Sequence, residues 1–119
     1  MERRRFGKTG CQLSVFTLGT MRFLHGWEEP HDHLPEASLE NVHGIISTAL
    51  KLGINHIETA RSYGKSERLI GQVLPHLEIP RTQLILTSKG QPTATAERCA
   101  VVWKIPWNGS GWTTWICSP

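Results

Sequence analysis

Three short apolar runs, residues 15–20, 54–60 and 84–89, alternate along this chain with stretches whose apolar residues recur every three or four positions. Alternating strand and helix patterns are the signature of a parallel sheet with crossover helices. Such a sheet is stable only when helices cover both faces or when it closes on itself. An α/β fold is therefore expected, rather than a helical bundle or a sandwich.

The first helix is expected over 38–52. Leu39, Val42, Ile45, Ile46, Ala49 and Leu50 fall on one face. Ser38 has N-cap chemistry, Lys51 lies where the helix dipole favours a cation, and Gly53 supplies a stop. The second helix is expected over 66–74, with Leu69, Ile70, Val73 and Leu74 inward and Pro75 ending it. Ahead of the first run, residues 4–6 and 13–16 flank Gly7-Lys8-Thr9-Gly10, a turn of hairpin length. Residues 21–35 hold Gly26, Pro30 and three histidines without periodicity, and are expected to be a loop. Residues 93–100 begin a further helical pattern.

At 119 residues the chain has room for one domain. Its 39% hydrophobic and 19% charged content is that of a globular protein. The net charge of +3 is modest, and the basic start (Arg3, Arg4, Arg5, Lys8) reads as a solvated edge strand guarded by its charges. Cys11, Cys99 and Cys117 lie far apart with no CxxC pair, which favours reduced thiols and a cytoplasmic setting. No run approaches the ~18 apolar residues of a membrane helix, and no apolar stretch follows the basic start as in a signal peptide. His31-Asp32-His33 offers two imidazoles in a loop without a third ligand, so no metal site is expected.

In α/β barrels the active site gathers at the C-terminal ends of the strands. Here the first run ends at Gly19-Thr20-Met21. The second ends beyond Glu58, with Tyr63 shortly after, and the third ends at Ser88-Lys89. One end of the sheet would collect a carboxylate, a phenol and an ammonium. A phenol, with an ordinary pKa of ~10, is a poor proton donor near neutrality. An ammonium beside a phenol favours the phenolate, and a carboxylate beside the ammonium holds it in place. Together these groups make a general acid for a carbonyl oxygen.

Four stretches resemble aldo-keto reductases in order and spacing. They are Arg4-Arg5-Phe6-Gly7-Lys8-Thr9-Gly10, Leu18-Gly19-Thr20-Met21, the run 53–67 (GINHIETARSYGKSE), and Leu86-Thr87-Ser88-Lys89. The resemblance covers residues 1–99, and the run 53–67 is its most specific part. It implies the N-terminal part, about three of eight strands, of a (β/α)8 TIM barrel preceded by a β-hairpin that plugs the barrel's bottom. It also implies NADPH as cofactor, bound without a Rossmann GxGxxG motif, and a small aldehyde or ketone as substrate. Tyr63 then falls on the family's catalytic acid and Lys89 on its ammonium partner. Glu58 stands where the family usually has Asp. Gly19, Thr20 and Met21 fall on the segment beside the nicotinamide. The family's active-site His, near the end of the fourth strand, has no counterpart after His76.

Residues 100–119 break the pattern. Four of the five tryptophans lie there (Trp103, Trp107, Trp112, Trp115), with Lys104 the only charged residue. With Lys104 its single basic group this is no base-stacking platform, and no nucleic-acid partner is expected. Tryptophan has a single codon, TGG, so a two-base shift of frame forces [LVM]-E-x-x-[LVM]-E-x-x-x-[LVM]-D-x-[LVM]-D. Permitted choices at the free positions give CMEDSLERLGLDYLDLLT, similar to the third helix and fourth strand of the family. Residues 100–119 are thus expected to be a frameshifted tail that does not pack. The alternative to an NADPH-dependent reductase is a truncated, non-enzymatic remnant, since a barrel of this type takes ~250 residues.

Overall fold

A computed structural model describes residues 1–25, 27–28, 30 and 32–90. The helical pattern at 93–100, the tail expected at 100–119 and His31 lie outside the described residues.

The chain opens with an antiparallel hairpin of β1 (Arg3–Arg5) and β2 (Gln12–Ser14), in register Arg3 to Ser14. Gly7 and Gly10 take positive φ of 53° and 77° in the turn between them, which only glycine adopts readily. The three arginines are exposed, as a solvated edge requires, and Arg4 pairs with Glu2.

β3 (Leu18–Gly19), β4 (His56–Glu58) and β5 (Ile85–Thr87) form a parallel sheet in chain order. The register sets Gly19 beside Glu58, and Glu58 beside Thr87. Each strand is shorter than its apolar run. The run 15–20, expected to be a buried strand, pairs as strand only at Leu18–Gly19. Val15 and Phe16 are exposed, because the Ser14 hydroxyl donates to the Phe16 carbonyl at 2.6 Å and bends the chain between hairpin and sheet.

α1 (Glu36–Lys51) crosses from β3 to β4, and α2 (Ser66–Val73) from β4 to β5. α1 starts two residues before the expected cap. Its N-cap is Pro35, with no side-chain bond, and Ser38 is buried in the first turn with its backbone N–H on the Pro35 carbonyl. The Pro35 carbonyl takes the Ser38 N–H, the third of the helix, which a cap side chain would otherwise accept, and proline's missing donor costs nothing at a helix start. At the other end Gly53 does supply the stop. Its φ is 84°, with Gly53 N–H on the Leu50 carbonyl and Ile54 N–H on that of Ala49, the paired bonds of a Schellman motif. Pro75 ends α2 as expected, and a 3-10 turn (Leu74–His76) follows.

Val42 and Ile46 of α1 meet Leu69, Ile70 and Val73 of α2 over Ile57 and Leu86 of the sheet. Side chains alternate along strands, so Ile57 and Leu86 face the helices while His56, Glu58 and Thr87 share the opposite face. The hairpin docks at the sheet's N-terminal end, where the bottom plug was expected. Asn55 holds it there, accepting from Ser14 N–H at 2.7 Å and donating to the Gln12 carbonyl at 2.9 Å.

Candidate functional site

Lys89 follows Thr87 by two residues, so it continues the Glu58 face of the sheet past the end of the β4–β5 ladder. Its ammonium ion-pairs with Glu58 and reaches Tyr63 Oη at 2.6 Å, lying 4.5 Å from that ring's centre. Tyr63 is brought over the strand ends by a tight turn. Its N–H bonds the Ala60 carbonyl and its own carbonyl takes Ser66 N–H, starting α2 directly behind it. Gly64 completes the turn at φ 53°, and a Cβ there would stand 2.5 Å from His25 Cε1. Both the backbone angle and the lack of room demand glycine.

The proton geometry follows from donor counting. An ammonium has only donors, so Lys89 donates and the phenol oxygen accepts. The phenol's own hydrogen is thereby free to point outward to a third group. Lys89 is held protonated above the ordinary lysine range, first by its bond to Glu58 and then by that to Tyr63. The Lys89 side chain is 46% exposed and that of Glu58 25%, so the pair opens to solvent at the strand ends.

Of the first-strand trio, Gly19 and Met21 are exposed, while Thr20 is fully buried. The Ser66 hydroxyl donates to Thr20 Oγ1 at 2.6 Å and lies 3.1 Å from Thr59 Oγ1. Thr20 thus ties β3 to the start of α2 with its side chain, leaving its neighbours at the surface. A Cβ built on Gly19 would meet nothing within 4 Å, so the backbone beside Glu58 stands open.

Two features escaped the sequence reading. His56 lies below Glu58 on the same face, 2.8 Å from Thr17 Oγ1 through Nδ1 and 2.8 Å from Thr87 Oγ1 through Nε2. Burial holds its pKa below the ordinary value, against the opposing pull of Glu58. The other is Glu67, which binds Ser88 and Arg61; the sequence offered it only as the last residue of the run 53–67. Among the described residues no cluster of three metal-ligating side chains exists. No described helix is long and apolar enough to cross a membrane.

Residues 16–114 match the model of the aldo/keto reductase family. Versiconal hemiacetal acetate reductase of Aspergillus parasiticus is 31% identical over 96 residues, 75% of this chain and 25% of that protein. A crystallised thermostable aldo-keto reductase in complex with the inhibitor epalrestat superposes with a TM-score of 0.65 at 30% identity, over 86% of this chain and 35% of that one. The chain thus spans about a quarter of the curated relatives it matches. With the parallel β3–β4–β5 order and a match over most of its length, the chain belongs to the aldo/keto reductase family of oxidoreductases.

Proposed function

We propose that Tyr63, Lys89 and Glu58 are the proton-delivering part of a site for NADPH-dependent reduction of aldehydes or ketones. One observation carries this reading: Lys89 donates to the phenol oxygen while ion-paired to Glu58, which leaves the phenol's proton free for a substrate. A carbonyl oxygen set against Tyr63 receives that proton as its carbon is reduced to the alcohol. The phenolate left behind is stabilised by the Lys89 ammonium and regains a proton from solvent. Glu58 keeps the ammonium in place through the cycle. NADPH, when bound, supplies the hydride that the carbonyl carbon takes up. The open backbone at Gly19, beside Glu58 and next to the exposed Met21, supports such a cofactor. Thr20, buried with its hydroxyl on Ser66 and its backbone N–H on the Glu58 carbonyl, contributes by holding Gly19 and Met21 at this edge.

A second reading concerns this chain alone: it carries these residues without performing turnover. The forced codons of Trp103, Trp107, Trp112 and Trp115 support a shifted frame over 100–119, although the family match itself runs to residue 114. In that reading residues 1–99 are the barrel's first part in a cytoplasmic protein, and the remainder is encoded in the other frame. Assays of NADPH oxidation with an aldehyde panel separate the two. Turnover by the 119-residue chain that vanishes in Tyr63→Phe supports an enzyme as it stands. Background rates for this chain, with turnover on restoring the frame, support the second.

A further inference from the structure

Lys89 lies beyond the last rung of the β4–β5 ladder, where one backbone bond, from Arg61, still reaches it. The Glu67 carboxylate is hydrogen-bonded on both oxygens. Ser88 Oγ donates to Oε1 at 2.6 Å, and Arg61 Nη1 donates to Oε2 at 2.9 Å. The Arg61 backbone N–H in turn donates to the Lys89 carbonyl at 2.9 Å. One carboxylate in the first turn of α2 therefore grips the residue before Lys89 and the residue whose backbone holds Lys89. The Glu67 side chain is 17% exposed against 45% for Arg61, so the grip is closed from the protein side. Charge-assisted bonds to a shielded carboxylate are stronger than neutral ones.

We propose that Glu67 is a positioning residue: through Ser88 and Arg61 it sets the backbone at Lys89 so that the ammonium meets both Glu58 and Tyr63. The proposal rests on the reading of Tyr63 and Lys89 given above. A flexible four-carbon stem has many rotamers, and holding its base narrows those that reach both partners. A simpler role exists for an acid in a helix's first turn, favourable interaction with the dipole. That role needs neither Ser88 nor Arg61, and it does not reach Lys89.

The test is the titration of the Lys89 ammonium in the full chain, followed by nitrogen-detected NMR of labelled lysine and assigned with Lys89→Arg. The parent should titrate above an ordinary lysine, and Glu58→Gln should bring the midpoint down. Glu67→Gln and Ser88→Ala, which touch neither Glu58 nor Tyr63, should each lower it in the same direction by less. Ser88→Ala removes a single hydroxyl, so it guards against misfolding of the Glu67 variant. A midpoint that falls in Glu58→Gln but stays at the parent value in both Glu67→Gln and Ser88→Ala overturns the proposal and leaves the site reading intact. A midpoint unmoved by Glu58→Gln, or ordinary in the parent, overturns both.

Discussion

The Lys89 ammonium stands 2.6 Å from the Tyr63 phenol oxygen, with the Glu58 carboxylate on its other side. Three groups from the ends of two strands and the turn before α2 thus meet over the sheet. Their order matters: the carboxylate touches the ammonium, and the ammonium touches the phenol. Tyr63 therefore feels a cation at first hand and an anion only beyond it.

Replacing Glu58 by Gln removes the first cause of the raised Lys89 pKa. A raised folded pKa stabilises the fold fully below the unfolded lysine value, ~10.4, and the gain is lost as pH rises through the folded value. Ion pairs open to solvent contribute at most about 1 kcal/mol. Urea melts should show Glu58→Gln slightly less stable than the parent at pH 8, with the gap closing as the pH rises past the ordinary lysine value. A gap that persists unchanged at the higher pH contradicts this account.

His56 carries the opposite sign. Burial lowers its folded pKa beneath the ordinary 6.5, with Glu58 only partly offsetting the effect. Its contribution is present above the unfolded pKa and is lost as pH falls through the folded one. Denaturation at pH 7.5 and pH 5 should show the parent losing more stability than His56→Gln over that interval. Parallel losses in the two proteins count against a buried, neutral imidazole.

Gly64 and Gly44 should answer alanine in opposite ways. At Gly64 the φ of 53° and the His25 ring oppose a side chain, and the left-handed backbone alone costs roughly 1–2 kcal/mol. At Gly44, within α1, a Cβ meets nothing, and alanine gains roughly 1 kcal/mol of helix propensity. Urea midpoints of Gly64→Ala and Gly44→Ala should move down and up respectively. Equal shifts for the two would refute the turn geometry.

The parallel order β3–β4–β5 and both crossover helices were legible because short apolar runs alternate with segments whose apolar residues recur at helical spacing. Pro75 and Gly53 punctuate for reasons local to each residue, and so they too could be read directly. The misreadings were of tertiary or competing origin. Val15 and Phe16 look like buried strand, yet the Ser14 hydroxyl bends the chain there. Ser38 has cap chemistry, but Pro35 had already started the helix. Glu58, Tyr63 and Lys89 could be gathered from the rule that strand ends converge. The grip of Glu67 on Ser88 could not, because it depends on how α2 lies against the end of β5.

Sequencing the locus checks the origin of residues 100–119. The frame shifted by two bases should encode a run similar to LGxDYxDL, followed by further strand and helix patterns and a histidine after the fourth strand. A shifted frame that closes quickly in stop codons, with no such run, disproves the frameshift.

The most direct measurement of the proton-delivering site is NADPH-dependent reduction of an aldehyde panel by the frame-restored protein and its Tyr63→Phe variant. General acid catalysis contributes typically about 10²–10⁴-fold. The restored protein should turn over, and Tyr63→Phe should lose about that factor in kcat with far less change in KM. A Tyr63→Phe protein that matches its parent in kcat contradicts the assignment of Tyr63 as the acid.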